Sequence, residues 1–357
     1  MINPNIFPAM TVAFAITAVF MYALRPLASS IGLIVHPSGR RSQASDVPVI
    51  GGVAMFIGVF AGLTLIHGPS ADLFTLFVAC LALVAISTLD DCFSLPASVR
   101  LATQVTAVVI MVYGGGLQLN DIGNPFGTGI ISMGGFTLIA TVIVAVTTIN
   151  AYNLVDGVDG LAGSLALIGL SAVILIGGIG ASSTHVALML SVAIVGFLMF
   201  NFPINGKRPL RTFMGDAGST FLGFAIVWVA LSISQGSERL VSPVYCLWFA
   251  AIPIFECLTC FVRRSLARKS PLTSARDHFH DALFRGGMGA RHVLTVLVGL
   301  QLLYAAAAVA AHYSAVPDVA MFAAWSVLGL TQYLVIGKVA GWYHRLPSQR
   351  KRRALAV

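Results

Sequence analysis

The chain of 357 residues is 57% hydrophobic and only 10% charged, whereas roughly 25% of the residues in soluble domains are charged. This composition excludes an ordinary soluble protein and indicates an integral membrane protein. The net charge of +8 fits attraction to anionic lipid. No nucleic-acid-binding motif accompanies this charge, so we expect a lipid bilayer as a partner and no nucleic acid.

Eleven apolar runs in the chain predict membrane-spanning helices, because a helix of about 20 residues crosses a bilayer. The first run lacks the basic segment and the cleavage site of a signal peptide, so we expect a retained helix. No second domain interrupts the series, which predicts an all-α polytopic bundle over residues 1–340 and a basic tail over 341–357. The runs lie near residues 5–27, 47–66, 70–89, 101–117, 134–150, 160–181, 185–201, 217–235, 242–262, 292–312 and 317–340.

The basic residues predict the orientation of the bundle. Counted over alternate loops, 20 of the 21 Lys and Arg residues fall on one side, and only Arg239 falls on the other. Short loops that are rich in Lys and Arg stay in the cytoplasm. We therefore expect the N-terminus outside and the C-terminus in the cytoplasm.

The acidic residues gather at the predicted cytoplasmic side. Of 13 Asp and Glu residues, eight lie at cytoplasmic helix ends or in cytoplasmic loops, and several stand in Gly- and Asn-rich sequence. Polar groups in such places normally line a water-accessible cavity or site. The eight residues are Asp46, Asp90, Asp91, Asp156, Asp159, Asp216, Asp277 and Asp281.

The first acidic motif, "TLDDCFSLPASVR", places Asp90 and Asp91 side by side at a helix end. Adjacent carboxylates repel each other unless they share a cation or a proton, so such a pair is typical of metal sites and acid–base sites. A solvated pair of loop acids without a role is the alternative. Beside the other acidic motifs, we favour the functional interpretation.

The second motif, "NAYNLVDGVDGL", places Asn150, Asn153, Asp156 and Asp159 at intervals of three residues. If this stretch is helical, all four side chains lie along one face. Gly157 lets the backbone approach a ligand closely. A capping role explains one aspartate but not four polar side chains in phase, so we interpret the motif as functional.

The third motif, "RTFMGDAGSTFLGF", places Asp216 among Gly215, Gly218 and Ser219 where a span begins. The free amides of a helix N-terminus can face an anion, and the carboxylate is a hard oxygen ligand for Mg²⁺. Capping of the helix by Asp216 or Ser219 is compatible with both roles.

The fourth motif, "SARDHFHDALFRGGMG", lies in the largest predicted cytoplasmic loop. It contains His278 and His280 together with Arg276, Asp277 and Arg285. These side chains form a cationic, hydrogen-bonding cluster that suits phosphate groups. A His-x-His pair also fits zinc, but no Cys or further His stands at ligand spacing.

Three smaller features are weaker signals, and the first two keep two interpretations open. Gly51 and Gly52 fit either helix packing or a turn that faces substrate. Glu256 lies inside a span and needs a partner or a proton, for a functional or a structural reason. Cys257 and Cys260 form a CxxC without a second ligand pair, so we interpret them as packed thiols, and the five cysteines suggest no disulfide framework.

In this order and spacing, "DDCFSLP", "NAYNLVDGVDGL" and "FMGDAGSTFLGF" resemble the polyprenyl-phosphate N-acetylhexosamine-1-phosphate transferase family, or glycosyltransferase 4 family. The tract "QGSERLVSPVYCLWFAAIP" is similar to its N-acetylglucosamine branch. The resemblance implies that UDP-N-acetylglucosamine gives its sugar 1-phosphate to undecaprenyl phosphate and that UMP leaves. It further implies the first membrane step of a cell-surface polysaccharide such as O-antigen, in the cytoplasmic (inner) membrane of a bacterium.

The resemblance also implies a cofactor and the side chains of a site at the cytoplasmic face. The cofactor is Mg²⁺, which Mn²⁺ can replace, and its expected ligands are Asp216 and Asn153. The other expected site residues are the catalytic Asp90, Asp91, Asp156, Asp159, His278 and His280 and the substrate-binding Asn150, Asn153, Gly157, Ser219, Arg276 and Arg285.

The chain departs from the family at Asp281, where relatives commonly carry a third histidine after the H-x-H pair. If that histidine carried catalysis, this chain would be inactive or would use another donor. We favour a role for Asp281 in orienting or charging His280, because a neighbouring carboxylate raises the pKa of a histidine.

Two alternatives to the main interpretation remain. One is the same reaction with another UDP-N-acetylhexosamine or with UDP-muramoyl-pentapeptide. The other is a transporter with an acidic cytoplasmic vestibule, although paired acids in transporters usually lie near the middle of the bilayer. A UDP-sugar and undecaprenyl phosphate are the expected partners, and a homodimer is left open.

Overall fold

The computed structural model describes residues 3–35, 46–203, 210–236, 239–268 and 278–345, and the described part is almost entirely helical. A two-residue antiparallel pair, β1 (Ile34–Val35) and β2 (Val47–Pro48), is its one sheet. The helices are α1 (Ile6–Ala23), α2 (Arg25–Ile31), α3 (Gly51–His67), α4 (Ala71–Phe93), α5 (Ala97–Gly115), α6 (Thr137–Val155), α7 (Leu161–Gly177), α8 (His185–Asn201), α9 (Gly215–Ser234), α10 (Pro243–Phe249), α11 (Ala251–Leu266), α12 (Phe279–Arg285), α13 (Ala290–Tyr313) and α14 (Asp318–Arg345).

The helices confirm an all-α membrane protein that crosses the bilayer many times. Within the described residues, eight helices are long and apolar enough to cross a membrane, and α10 with α11 makes a ninth candidate. The apolar helices α3 and α7 have 17 residues each. Each of the eleven predicted runs falls on one of these elements, but the count of eleven spans stays a prediction.

The break between α10 and α11 has a local cause, and a side chain from a distant helix stabilises it. Proline at position 253 cannot donate a backbone hydrogen bond, and its ring clashes with the carbonyl four residues earlier, at Phe249. The two helices consequently meet at 89°. The buried side chain of Gln301, on α13, accepts a hydrogen bond from Ile252 N at 3.0 Å and donates to the carbonyls of Trp248 and Phe249 at 3.0 and 3.1 Å. It satisfies backbone groups that the break exposes.

Helix α9 runs through the centre of the bundle and contacts α3, α4 and α6. In its apolar stretch of 18 residues, 83% of the residues are buried. Glycines allow this close packing. A Cβ atom on Gly52 would lie 2.2 Å from the backbone nitrogen of Gly218, and one on Gly223 would lie 2.6 Å from the Cα of Ile149. Of the two interpretations left open for Gly52, the structure supports helix packing.

Candidate active site

The candidate site lies where several helices begin or end at the same end of the bundle. Helices α4 and α6 end here, at Phe93 and Val155, and α5, α7 and α9 begin here, at Ala97, Leu161 and Gly215. Helix ends leave backbone N–H and carbonyl groups without partners inside the helix. The site therefore combines free backbone dipoles with the acidic motifs of the sequence.

Asp90 and Asp91 lie in the last turn of α4 and point to different partners. The buried carboxylate of Asp90 accepts a hydrogen bond from Leu95 N at 2.6 Å and contacts the guanidinium of Arg100 at 3.2 Å. The carboxylate of Asp91 accepts hydrogen bonds from the backbone nitrogens of Asp216 and Ala217, at 3.1 and 3.3 Å. Asp91 therefore caps the first turn of α9 from a neighbouring helix, and it holds Asp216 in place.

Asp216 and Asn153 meet at the centre of the site. The amide of Asn153 donates to Asp216 Oδ1 at 2.9 Å and to Ser219 Oγ at 3.0 Å. The other carboxylate oxygen of Asp216 faces the guanidinium of Arg100 at 3.5 Å. Ser219 is fully buried and also donates to the carbonyl of Gly215 at 3.1 Å. The side chains that the resemblance assigned to the metal are thus brought into contact.

The expectation that four polar side chains share one helical face is wrong for the two aspartates. Helix α6 contains Asn150 and Asn153 but ends at Val155, so Asp156 and Asp159 lie in the turn before α7. Asn150 donates to the side chain of Gln104 on α5, at 2.9 Å.

The turn between α6 and α7 is fixed by two contacts. Gly160 adopts a φ of 78°, in the left-handed region that favours glycine, and donates to Asn201 Oδ1 at 2.6 Å. Asp159 pairs with Arg211 at 2.6 Å. Asp156 and Gly157 therefore lie between the end of α6 and two anchored positions.

The H-x-H pair lies against this turn. The rings of His278 and His280 are stacked, with centroids 5.2 Å apart and planes within 7°. A Cβ atom on Gly157 would lie 3.4 Å from His280 Nε2, so glycine lets the histidine approach the backbone. Both histidines are buried. The second and fourth motifs are thereby joined into one site.

Two residues assigned to the fourth motif, Arg276 and Asp277, lie outside the described residues. Arg285 ends α12. Asp281 Oδ2 lies 4.0 Å from His280 Nε2, close enough for its charge to act on the ring.

Sequence reasoning missed four partners of the site: Arg100, Arg211, Gln104 and the backbone contacts of Glu256. The two arginines had been counted only as topological charges, although each lies near an acidic motif in space. Glu256 had been noted as a buried acid that needs a partner. Its carboxylate accepts hydrogen bonds from Phe279 N at 2.7 Å and from His280 N at 3.1 Å, which was not visible in the sequence.

The carboxylates at this end are crowded. Burial, and then the charges of Asp216, Asp91 and Asp159, hold the pKa of Asp156 well above its ordinary value. Neighbouring like charges repel each other, and a bound cation relieves the repulsion. The arrangement therefore favours a cation next to the turn between α6 and α7.

Asp216 and Asn153 fit the requirements of Mg²⁺. Carboxylate and amide oxygens are its usual protein ligands, and it commonly binds through one or two carboxylates together with waters and substrate phosphates. Within the described residues, no group of three His, Cys, Asp or Glu side chains makes a complete ligand set. One carboxylate and one amide match the small number of protein ligands with which Mg²⁺ commonly binds beside substrate phosphates.

The two histidines differ in the direction in which their pKa values are shifted. Burial lowers the pKa of His278 below its ordinary value against the opposing charge of Glu256. Burial acts in the same direction on His280, but the interaction with Glu256 and the charge of Asp281 outweigh it and raise the pKa of His280. His280 is thus the ring that holds a proton more readily, which suits contact with an anion.

Comparison with known proteins places this geometry in a family. The model of Glycosyl transferase family 4 matches residues 73–234, which contain the first three motifs. The chain is also similar to proteins named undecaprenyl-phosphate alpha-N-acetylglucosaminyl 1-phosphate transferase. The protein from Escherichia coli O157:H7 is 32% identical over 95% of this chain and 94% of its own length. That from Salmonella typhi is 31% identical over 95% of both chains. That from Haemophilus influenzae is 31% identical over 93% of this chain and 95% of its own. The chain therefore belongs to glycosyl transferase family 4.

Proposed function

We propose that the protein transfers N-acetylglucosamine 1-phosphate from UDP-N-acetylglucosamine to undecaprenyl phosphate and releases UMP. The names of relatives that match nearly the whole chain support this substrate pair and favour it over a muramoyl-pentapeptide donor. The observation that carries the proposal is the meeting of the carboxylates and the histidines at one helix end, through Gly157 and His280. A charged nucleotide sugar from the aqueous phase and a lipid phosphate from the bilayer can both reach a site at the ends of membrane helices.

The chemistry is a displacement at phosphorus. An oxygen of the acceptor phosphate attacks the β-phosphorus of the UDP-sugar, the bond to the bridging oxygen breaks, and that oxygen leaves with UMP. The acceptor needs little deprotonation, because a phosphate monoester has a second pKa of about 6 and is already largely ionised at neutral pH. Phosphoryl transfer of this kind depends mainly on positioning and on electrostatic stabilisation.

Asp216 and Asn153 are the proposed Mg²⁺ ligands, and Mn²⁺ can take the place of Mg²⁺. When bound, the ion neutralises the charge that develops on the phosphate oxygens. Asp91 holds Asp216 by capping α9. Arg100, which contacts both Asp90 and Asp216, supplies a partly exposed cation near the end of α4, where the lipid phosphate enters.

The remaining side chains bind and orient the donor. Asp156 and Asp159 border the nucleotide, and the pair with Arg211 fixes the second of them. His280, the ring that holds a proton more readily, donates to the pyrophosphate. Arg276 and Arg285 add positive charge on the same loop and helix, as the cationic motif suggests.

The orientation in the membrane belongs to the same proposal. The site lies at the end of the bundle that holds Arg100 and Arg211, and the positive-inside rule puts that end in the cytoplasm of a bacterium, where UDP-sugars are made. Reporter fusions after Val357 and within 236–241 are expected to report opposite sides. The same side from both fusions would contradict this topology.

A donor panel tests the proposed function. Membranes that contain the full chain receive Mg²⁺, undecaprenyl phosphate and one labelled UDP-sugar at a time. We expect a butanol-soluble labelled lipid with UDP-N-acetylglucosamine and much less with UDP-N-acetylgalactosamine or UDP-muramoyl-pentapeptide. Turnover with the pentapeptide alone would assign the other branch, and no turnover with any UDP-sugar would reject the enzyme.

A further inference from the structure

Glu256 is a buried acid whose surroundings connect it to the H-x-H pair. It lies on α11 with 1% of its surface exposed, and an isolated carboxylate at such depth is expensive. Its two oxygens accept backbone hydrogen bonds from consecutive residues, Phe279 at 2.7 Å and His280 at 3.1 Å. These bonds fix the first turn of α12 against α11, and with it the backbone that carries the histidines.

The same carboxylate faces one particular nitrogen of each ring. His280 Nδ1 lies 3.5 Å from Glu256 Oε1, and His278 Nδ1 lies 3.9 Å from Oε2. Both Nδ1 atoms are buried and make no hydrogen bond of normal geometry, so the interaction with Glu256 is mainly electrostatic. With Nδ1 directed to the carboxylate, Nε2 of His280 is directed towards Gly157 in the turn between α6 and α7.

We propose that Glu256 is a positioning residue that holds His280 Nδ1, so that Nε2 presents a proton to the pyrophosphate of the nucleotide sugar. This inference rests on the proposed function. The carboxylate does not touch substrate, because it is buried behind the stacked rings. It acts through the orientation of the ring and through its charge.

The charges around the two rings agree with this arrangement. Burial and the charge of Arg285 lower the pKa of His280, but the interactions with Glu256 and Asp281 outweigh them and raise it. For His278 the balance is reversed. Burial and the charges of His280 and Arg264 outweigh those of Glu256 and Asp281, so the pKa of His278 is lowered. One proton-bearing ring and one neutral ring can stack at 5.2 Å without charge repulsion. Of the two rings, His280 is therefore the one that more readily brings a positive charge to the turn.

The first test asks which nitrogen of His280 meets the donor. In the full-length enzyme, the amide group of His280→Gln takes the place of Nε2, and that of His280→Asn takes the place of Nδ1. We expect His280→Gln to keep at least about tenfold more UMP release than His280→Asn. Equal rates, or a faster His280→Asn, would overturn the proposal. This comparison does not depend on the folding of any Glu256 variant.

The second test concerns the charge of Glu256. Glu256→Gln keeps an oxygen acceptor but removes the negative charge, so the pKa of His280 falls and the alkaline limb of the rate profile moves to lower pH. We expect a shift of about one pH unit. Gln301→Met is the matched control, because Gln301 is equally buried and supports only the break between α10 and α11. It is expected to lower the melting temperature without moving the limb.

The two proposals fail in different ways. Loss of the proposed function would appear as no UMP release by the unaltered protein. An active unaltered protein whose alkaline limb is unchanged in Glu256→Gln would overturn the role of Glu256 alone. In the Glu256→Gln and His280→Ala double variant, we expect no further loss beyond that of His280→Ala. An additive loss would show that Glu256 acts elsewhere.

Discussion

The carboxylate of Asp91 can have two roles, and they predict different kinetics. In the structure it accepts hydrogen bonds from the backbone nitrogens of Asp216 and Ala217, so it holds the N-terminus of α9. The other possible role is that of a general base, which would take a proton from the acceptor phosphate. Asp91→Asn separates the two roles, because the amide keeps one oxygen acceptor but cannot act as a base.

The structural role sets the size of the effect. An Asn side chain loses one of the two charge-assisted hydrogen bonds, each worth about 1.5–3 kcal/mol. If all of this free energy is lost from the transition state because Asp216 is misplaced, turnover falls roughly 10- to 150-fold. Because the acceptor phosphate is largely ionised above a pH of about 6.5 and needs no base there, we expect that the deficit does not shrink as the pH rises from about 5 to about 9.

UMP release by the solubilised full-length protein, at saturating UDP-N-acetylglucosamine, measures this deficit at each pH. Asp72→Asn is the matched control, because Asp72 is an exposed aspartate in the first turn of the same helix, and we expect it to keep the unaltered rate. Removing a general base would instead cost about 10²- to 10⁴-fold. That deficit would shrink as the pH rises from about 5 to about 7, where the acceptor phosphate becomes ionised, and such a rescue of Asp91→Asn would refute the structural role.

Three further predictions concern the metal ligands, the packing of α9 and the histidine loop. Asp216→Asn is expected to abolish turnover at any Mg²⁺ concentration, whereas Asp277→Asn costs far less, and equal losses in a Mg²⁺ titration would contradict the metal assignment. Gly52→Ala places a methyl group 2.2 Å from the backbone of α9, so we expect thermal unfolding to reveal a destabilisation of about 1–3 kcal/mol. Asp281→His is expected to keep substantial activity. In His278→Ala, turnover is expected to fall at least about tenfold, which corresponds to roughly 1.4 kcal/mol of barrier. A near-normal turnover in the alanine variant would show that this loop is not part of the site.

The helices could be predicted because their signal is local. A run of apolar residues long enough to span a bilayer identifies a helix whatever its neighbours are, and all described spans follow this rule. The end of α6 was harder to predict. Asn150 and Asn153 continue a three-residue interval into Asp156 and Asp159, but the left-handed Gly160 requires a turn. The three-residue interval thus predicted a helical face where the structure has a turn.

Most partners of the charged side chains could not be predicted, because all but the contact of Arg100 with Asp90 join distant parts of the chain. Arg211 pairs with Asp159, and Arg100 lies between Asp90 and Asp216. From the sequence alone these arginines are indistinguishable from the basic residues that set topology. Their role depends on which helix ends pack together, which only the folded bundle decides.

The same limit applies to the bent span. Pro253 is a local signal for a break in the helix, but the side chain that satisfies the freed backbone groups, Gln301, comes from another helix. Burial of a lone glutamine in an apolar helix indicates a partner without identifying it. Glu256 is the corresponding case in the site, since its partners are backbone nitrogens of α12.

The fate of the donor's β-phosphate tests the central claim most directly. UDP-N-acetylglucosamine with radioactive phosphorus in its β-phosphate is incubated with undecaprenyl phosphate, Mg²⁺ and the full-length protein. The proposed reaction predicts that the label enters the lipid extract and that unlabelled UMP appears in equal amount. Labelled UDP in the water phase beside an unlabelled glycolipid would mean that the sugar moves without its phosphate, and it would contradict the proposed reaction.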